Sequence, residues 1–233
     1  MSDFDISSNL ETVLNQINEY CAAAGRKPSD VELIAVSKTK PLSYVESAFE
    51  AGQRDFGENK IQDLRDRMNQ LGDDYVWHMI GTLQTNKIKY LAPRVDWIHS
   101  VPHQKALAEI EKRVAQHERT INVLIQVNVS GEDQKSGCSP DELSSLLEFA
   151  TTLKHVSVRG LMAIAAFEED LELVRPQFRL LRELRDQFAD QFSGNIKLEH
   201  LSMGMSHDMK VAIEEGATMV RVGTAIFGAR NYT

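Results

Sequence analysis

Cysteine is nearly absent from this chain of 233 residues: Cys21 and Cys138 stand far apart, with no other ligand types at short spacing. That excludes a disulfide framework and a zinc site of the usual spacing, and leaves two reduced thiols as the expectation. Basic charge is also short, with 26 Lys and Arg against 34 Asp and Glu and a net charge of −8, so nucleic acid meets no broad positive face. A small anion would have to be held by local donors, such as backbone N–H groups at a helix start. No apolar run approaches the ~20 residues that cross a bilayer, and Met1-Ser2-Asp3-Phe4-Asp5 is acidic where a secretory leader is basic. The expectation is a cytoplasmic protein without membrane contact. No Pro- or Ser-rich linker and no fixed-period repeat divides the chain, so residues 1–233 read as one domain.

What is present is an ordinary globular composition, 42% hydrophobic and 26% charged, enough to form one large core. Ile6, Leu10, Val13, Leu14, Ile17 and Cys21 recur at helical spacing before Gly25 and Pro28, which makes an amphipathic helix with a stop signal. Residues 32–37 then form a nearly continuous apolar run, the pattern of a strand buried on both faces. Seven more strand candidates follow at 55–57, 76–80, 95–99, 121–129, 156–164, 198–202 and 219–223. Helical patterns separate them at 43–51, 59–70, 84–92, 103–117, 140–152, 172–190 and 207–215, with Pro176 in the first turn of the sixth. Eight strands alternating with seven helices predict an α/β fold, a single (β/α)8 barrel (TIM barrel) with an extra N-terminal helix. A doubly wound open sheet is the alternative, but no glycine fingerprint follows the first strand.

In such a barrel the chemistry lies at the C-terminal ends of the strands. Lys38 follows the first strand, where partial desolvation favours the neutral amine that attacks carbonyls; taken alone, such a lysine is more often a solvated rim residue. Ser202 and Ser206 flank Gly204 after the seventh strand, and Gly223 and Thr224 end the eighth, positions where barrels often hold phosphate. Ser206 also suits the N-cap of the next helix. Arg221 stands within a Val-Arg-Val strand and needs either a carboxylate or the ring nitrogen of an aromatic cofactor. His78, between Trp77 and Met79, reads as a core histidine with one bonded nitrogen, and Arg179, Arg182 and Arg185 as a solvated helix face.

These residues carry a resemblance. Ala35-Val36-Ser37-Lys38-Thr39-Lys40-Pro41, Phe56-Gly57-Glu58-Asn59, the run from His78 to Lys87, Arg159-Gly160-Leu161-Met162, Leu201-Ser202-Met203-Gly204-Met205-Ser206, and the run from Val220 to Gly228 follow in order. The chain resembles the pyridoxal phosphate homeostasis proteins, which are similar to the N-terminal barrel of alanine racemases. The resemblance implies pyridoxal 5′-phosphate (PLP) as cofactor, held as a Schiff base on Lys38. It implies that Ser202, Ser206, Gly223 and Thr224 surround the phosphate, that Arg221 lies near the pyridine nitrogen, and that Asn59 sits beside the cofactor. Alanine racemases add a C-terminal domain with a catalytic tyrosine, whereas this sequence stops at Tyr232-Thr233. The expectation is therefore a monomer without enzymatic turnover, storing PLP and delivering it to apo-forms of PLP-dependent enzymes. Lys40, Lys87 and Lys135 are candidates for assisting transfer. A PLP-dependent amino-acid racemase or decarboxylase is the alternative, and a cofactor-free aldolase-type barrel would use the same lysine and phosphate cup.

Overall fold

The computed structural model describes residues 5–132, 134 and 136–229; Lys135 lies outside the described residues. Eight parallel strands close into a barrel in sequence order, β1 (Glu32–Val36), β2 (Asp55–Glu58), β3 (Val76–Met79), β4 (Trp97–Val101), β5 (Ile121–Gln126), β6 (Val156–Met162), β7 (Ile196–Met205) and β8 (Met219–Val222), with β8 pairing back onto β1. This is the expected (β/α)8 architecture. The outer helices are α2 (Leu42–Glu50), α3 (Ile61–Gln70), α4 (Gln104–Ala115), α5 (Leu143–Ala150), α6 (Arg175–Ala189), α7 (Met209–Glu214) and the short α8 (Thr224–Phe227). The extra helix α1 (Ile6–Ala23) is N-capped by Asp5, buries Ile6, Leu10, Val13, Ile17 and Cys21, and packs on α8 and α7. Each such buried aliphatic side chain contributes about 1.5–3 kcal/mol.

Four local expectations change. The pattern at 84–92 forms a 3-10 helix (Thr85–Tyr90) rather than an α-helix. Ser206 is not an N-cap: Asp208 precedes α7 instead, and its Oδ1 accepts from the Met205 N–H at 2.6 Å. Arg179 and Arg182 are not merely solvated, since both reach Glu215 at 2.9 Å, where Arg175 also arrives. His78 uses both ring nitrogens rather than one.

The main core lies between barrel and helices. A second, smaller apolar cluster of Ile34, Leu124, Met162 and Met219, packed with Trp97, stands apart from it and supplies aliphatic filling of the kind usual inside a barrel. Polar side chains accompany it: Glu32, Asp55, His78, His99, Ser202 and Arg221, the last four being fully or nearly buried. Buried polar groups survive only when bonded to one another, and here they are.

At the barrel floor Glu32 is raised from 4.5 to about 7, first by burial and then by the neighbouring Asp55 carboxyl. A carboxyl raised in the fold binds more protons native than unfolded, so its contribution to stability falls as pH climbs from 4.5 to 7. Glu32→Gln is therefore expected to gain about 1–2 kcal/mol relative to the parent between pH 5 and pH 8, after discounting for partial exposure. Urea unfolding at both pH values measures the difference; a pH-independent one would contradict the raised carboxyl.

Candidate functional site

Lys38 occupies the turn after β1, and that turn is strained. Thr39, a β-branched residue, has φ +64°, a left-handed conformation costing about 1–3 kcal/mol. Its holder is a buried ion pair. Glu58, fully buried at the end of β2, takes Arg67 of α3 at 2.6 Å and the Ser37 hydroxyl at 2.7 Å. The same guanidinium donates to the carbonyls of Ser37 at 3.1 Å and Lys40 at 2.7 Å, on either side of Lys38 and Thr39. Burial pushes the Glu58 carboxyl up against the opposing pull of Arg67.

A cleft of about 330 Å³ opens on this face, and Lys38, Asn59, Ser206, Arg221, Gly223 and Thr224 all line it. Six of the seven expected residues thus meet in one place. Ser202 does not: it is fully buried beneath the cleft, where its hydroxyl receives Arg221 Nη1 at 2.5 Å. Arg221 Nη2 donates to the Ala163 carbonyl at 2.9 Å, and burial lowers the guanidinium to about 10. Both of these acceptors are neutral, so the cation is not consumed in an ion pair.

Lys40 also lines the cleft, with Nζ bonded to the Ala229 carbonyl at 2.7 Å and its ammonium lowered by burial. Lys87 does not reach it. Among the described residues no carboxylate lines the cleft, although the chain carries a net −8. Gly223 brings the backbone against β1: a Cβ there would lie 3.0 Å from the Val36 carbonyl oxygen. Gly223 and Thr224 stand at the start of α8, and both line a cleft with a cationic wall. Ile164, Phe167 and Met205 form an apolar lip, Phe167 being 81% exposed. A smaller cavity of about 210 Å³, lined by Gly81, Thr82, Gln126 and Asn128, shares Asn59, Ile80 and Ile164 with the cleft.

This donor set fits a phosphorylated aromatic aldehyde: an amine for the carbonyl, a cation for a ring nitrogen, amides and hydroxyls for a phosphate, and apolar side chains for a flat face. Glu58 stood in the motif after the second strand but was given no role, and Arg67 and His99 escaped the sequence reading. The one available signal was a glutamate directly beside Asn59 in a buried strand, which needs a cationic partner.

Fold and cleft together define a barrel of the alanine racemase type, and the family described as alanine racemase, N-terminal domain, matches residues 8–231. The chain belongs to the pyridoxal phosphate homeostasis protein family: it is 46% identical to the member from Aquifex aeolicus over 96% of this chain and 97% of that one. It is 41% identical to the Escherichia coli K12 member over 98% of both. PipY of Synechococcus elongatus PCC7942, solved with PLP bound, superposes with TM-score 0.81 at 35% identity, covering 91% of this chain and all of PipY. An alanine racemase from Clostridium difficile 630 shares the fold at TM-score 0.78 and 13% identity, with 97% of this chain matching 57% of the racemase. No helix among the described residues is long and apolar enough to cross a membrane.

Proposed function

We propose that this chain binds PLP through a Schiff base from the Lys38 amine and serves to hold and release it, without dedicated turnover of an amino acid. The observation that carries the reading is the convergence of Lys38, Arg221 and the Ser206, Gly223 and Thr224 donors on one carboxylate-free cleft. The group supplies an aldehyde carbon: the Lys38 nitrogen bonds to it, and the carbonyl oxygen leaves as water with the two amine hydrogens. The Glu58–Arg67 clamp fixes the turn that aims Lys38. Gly223 and Thr224 offer amide donors, with Thr224 and Ser206 adding hydroxyls, to the phosphate. Arg221 keeps a donor toward the ring nitrogen, which holds that nitrogen unprotonated and limits the ring as an electron sink. Asn59, directly after β2, would stand beside the cofactor. Ser202 contributes from below, by holding Arg221.

A carrier role also fits the other titratable groups among the described lining residues, of which Lys40 is bonded to the Ala229 carbonyl at 2.7 Å. Among the described lining residues the one imidazole is His207, whose Nε2 donates to the Glu168 carbonyl at 3.1 Å while its ring stacks on Phe167. PLP-dependent apo-enzymes are the natural recipients of the released group.

Purified protein loaded with PLP is expected to show near-visible absorbance that borohydride bleaches, with the pyridoxyl label on the peptide containing Lys38. Lys38→Ala should abolish both. A label on another lysine, or an unchanged band in the variant, would overturn the linkage. Steady racemisation or decarboxylation of an amino acid by the same preparation would replace the carrier reading with the enzymatic one.

A further inference from the structure

The lumen holds a line of polar groups that the cleft chemistry has not used. Ser202 Oγ, which receives Arg221 Nη1, lies 2.9 Å from His99 Nδ1. His99 Nε2 lies 2.8 Å from His78 Nδ1, and His78 Nε2 lies 3.0 Å from Asp55 Oδ1. Asp55 opens β2 at the floor, whereas Arg221 stands near the end of β8 beneath the cleft. The line therefore crosses the barrel. Ser202, His99 and His78 are 0% exposed, so no water competes for their bonds.

The direction of the line follows from valence. Burial holds both imidazoles neutral, His78 falling to about 4 and His99 well below its ordinary value. Each ring then carries one N–H, and a single proton lies between the two rings. If His99 Nε2–H donates to His78 Nδ1, the His78 proton faces Asp55 and the bare His99 Nδ1 accepts the Ser202 hydroxyl. That hydroxyl in turn accepts from Arg221, and every donor has an acceptor. In the reverse direction Asp55 would have to be protonated, and Ser202 would receive donors from both Arg221 and His99. Burial raises both carboxyls, Glu32 to about 7, while the hydrogen bond between them raises Glu32 and lowers Asp55, so Glu32 holds the pair's proton and Asp55 is the acceptor.

We propose that Asp55, His78, His99 and Ser202 are positioning residues for Arg221, forming a one-way hydrogen-bonded relay that orients its guanidinium in the cleft from the barrel floor. The inference rests on the cofactor reading in that the group Arg221 faces is a ring nitrogen. The relay commits the Ser202 hydroxyl proton to His99, which leaves Ser202 Oγ as a fixed acceptor for Arg221 Nη1 and so restrains rotation of the guanidinium. The other groups around its lower end are Glu32 on β1, Asp96 before β4 and His200 on β7, with the Trp97 indole stacked on His78 at 5.8 Å. Glu32, Asp55 and His78 also lie close enough for a metal ion, but each is bonded within the group and nothing further marks a ligand there.

Two measurements on the full-length chain test this. Long-range ¹⁵N–¹H histidine spectra, recorded without PLP, are expected to show His78 and His99 as neutral Nε2–H tautomers throughout pH 6–8, a window chosen from the ordinary imidazole range. In Ser202→Ala, His99 should lose that fixed tautomer and His78, one residue further along, should respond. An Nδ1–H tautomer or an imidazolium at either ring of the parent overturns the relay, whatever the cofactor does. With PLP added, Asp55→Ala should move the pH midpoint of the near-visible band by about half a unit, the scale of one altered hydrogen bond, and Asp55→Asn, which keeps an acceptor, should restore most of it. Asp55 does not line the cleft, so a purely structural role would leave the midpoint in place. An unchanged midpoint in the folded Asp55→Ala protein overturns the positioning role. Absence of any band from the parent would instead indict the cofactor reading.

Discussion

Arg67→Ala is expected to destabilise the protein by about 3–5 kcal/mol, the range for removing one partner of a buried ion pair. The reason is the charge left behind. Glu58 is fully buried, and its Oε2 already has no hydrogen-bond partner, so losing the 2.6 Å contact to Arg67 strands a carboxylate with the Ser37 hydroxyl alone. The carboxyl would respond by taking up a proton, so the loss should be smaller at pH 5 than at pH 8. The damage reaches the cleft. Without its donors to the Ser37 and Lys40 carbonyls, the turn is free to relax the left-handed Thr39, and Lys38 loses its aim. Arg67→Lys keeps the charge but not the fork that spans carboxylate and carbonyls, and should fall between. Denaturant unfolding at the two pH values, beside PLP titration of each variant, separates the stability loss from the loss of aim; a cost under about 1 kcal/mol would mean that the pair behaves as a solvated one.

Gly81→Ala is expected to cost about 1–3 kcal/mol through overpacking and to weaken PLP binding as well. An added Cβ would stand 2.2 Å from the Asn59 carbonyl oxygen and 2.6 Å from its Cα, both backbone atoms that cannot swing aside like the tip of a side chain. Either the β2 end moves, carrying Asn59 in the cleft wall, or the β3 end moves and strains the Ser100 hydroxyl bond to the Gly81 carbonyl at 2.5 Å. Gly72→Ala is the control. No atom lies within 4 Å of its added Cβ, and the change should stay within about 0.5 kcal/mol, as surface substitutions do. If the two variants unfold alike, the close approach of β2 and β3 is not what confines position 81 to glycine.

The order of apolar runs was enough to foretell a closed barrel, because strands buried on both faces need helices between them and eight such units exhaust the chain. Positions at the strand ends likewise located the face on which Lys38, Ser206, Arg221, Gly223 and Thr224 would meet. Depth was harder to read. Ser202 and Ser206 are four residues apart in one motif, yet one lies below the cleft and the other on its wall, since β7 carries its pairing to Met205 with a register shift between Ser202 and Met205. The N-cap position expected of Ser206 falls instead on Asp208, whose carboxylate turns back to the Met205 N–H, because the helix starts later than the motif suggests.

The chain's own order of residues settled the architecture and the strand-end position of Lys38, both of which depend on spacing along one segment. Pairings across the lumen were left to folding. His78 and His99 sit 21 residues apart and His99 and Ser202 103 apart, and no local pattern records which side chains a closed barrel turns inward to the same level. A polar residue in a buried strand announces a debt to some partner; closure of the sheet, which sets shear and register all at once, decides who that partner is.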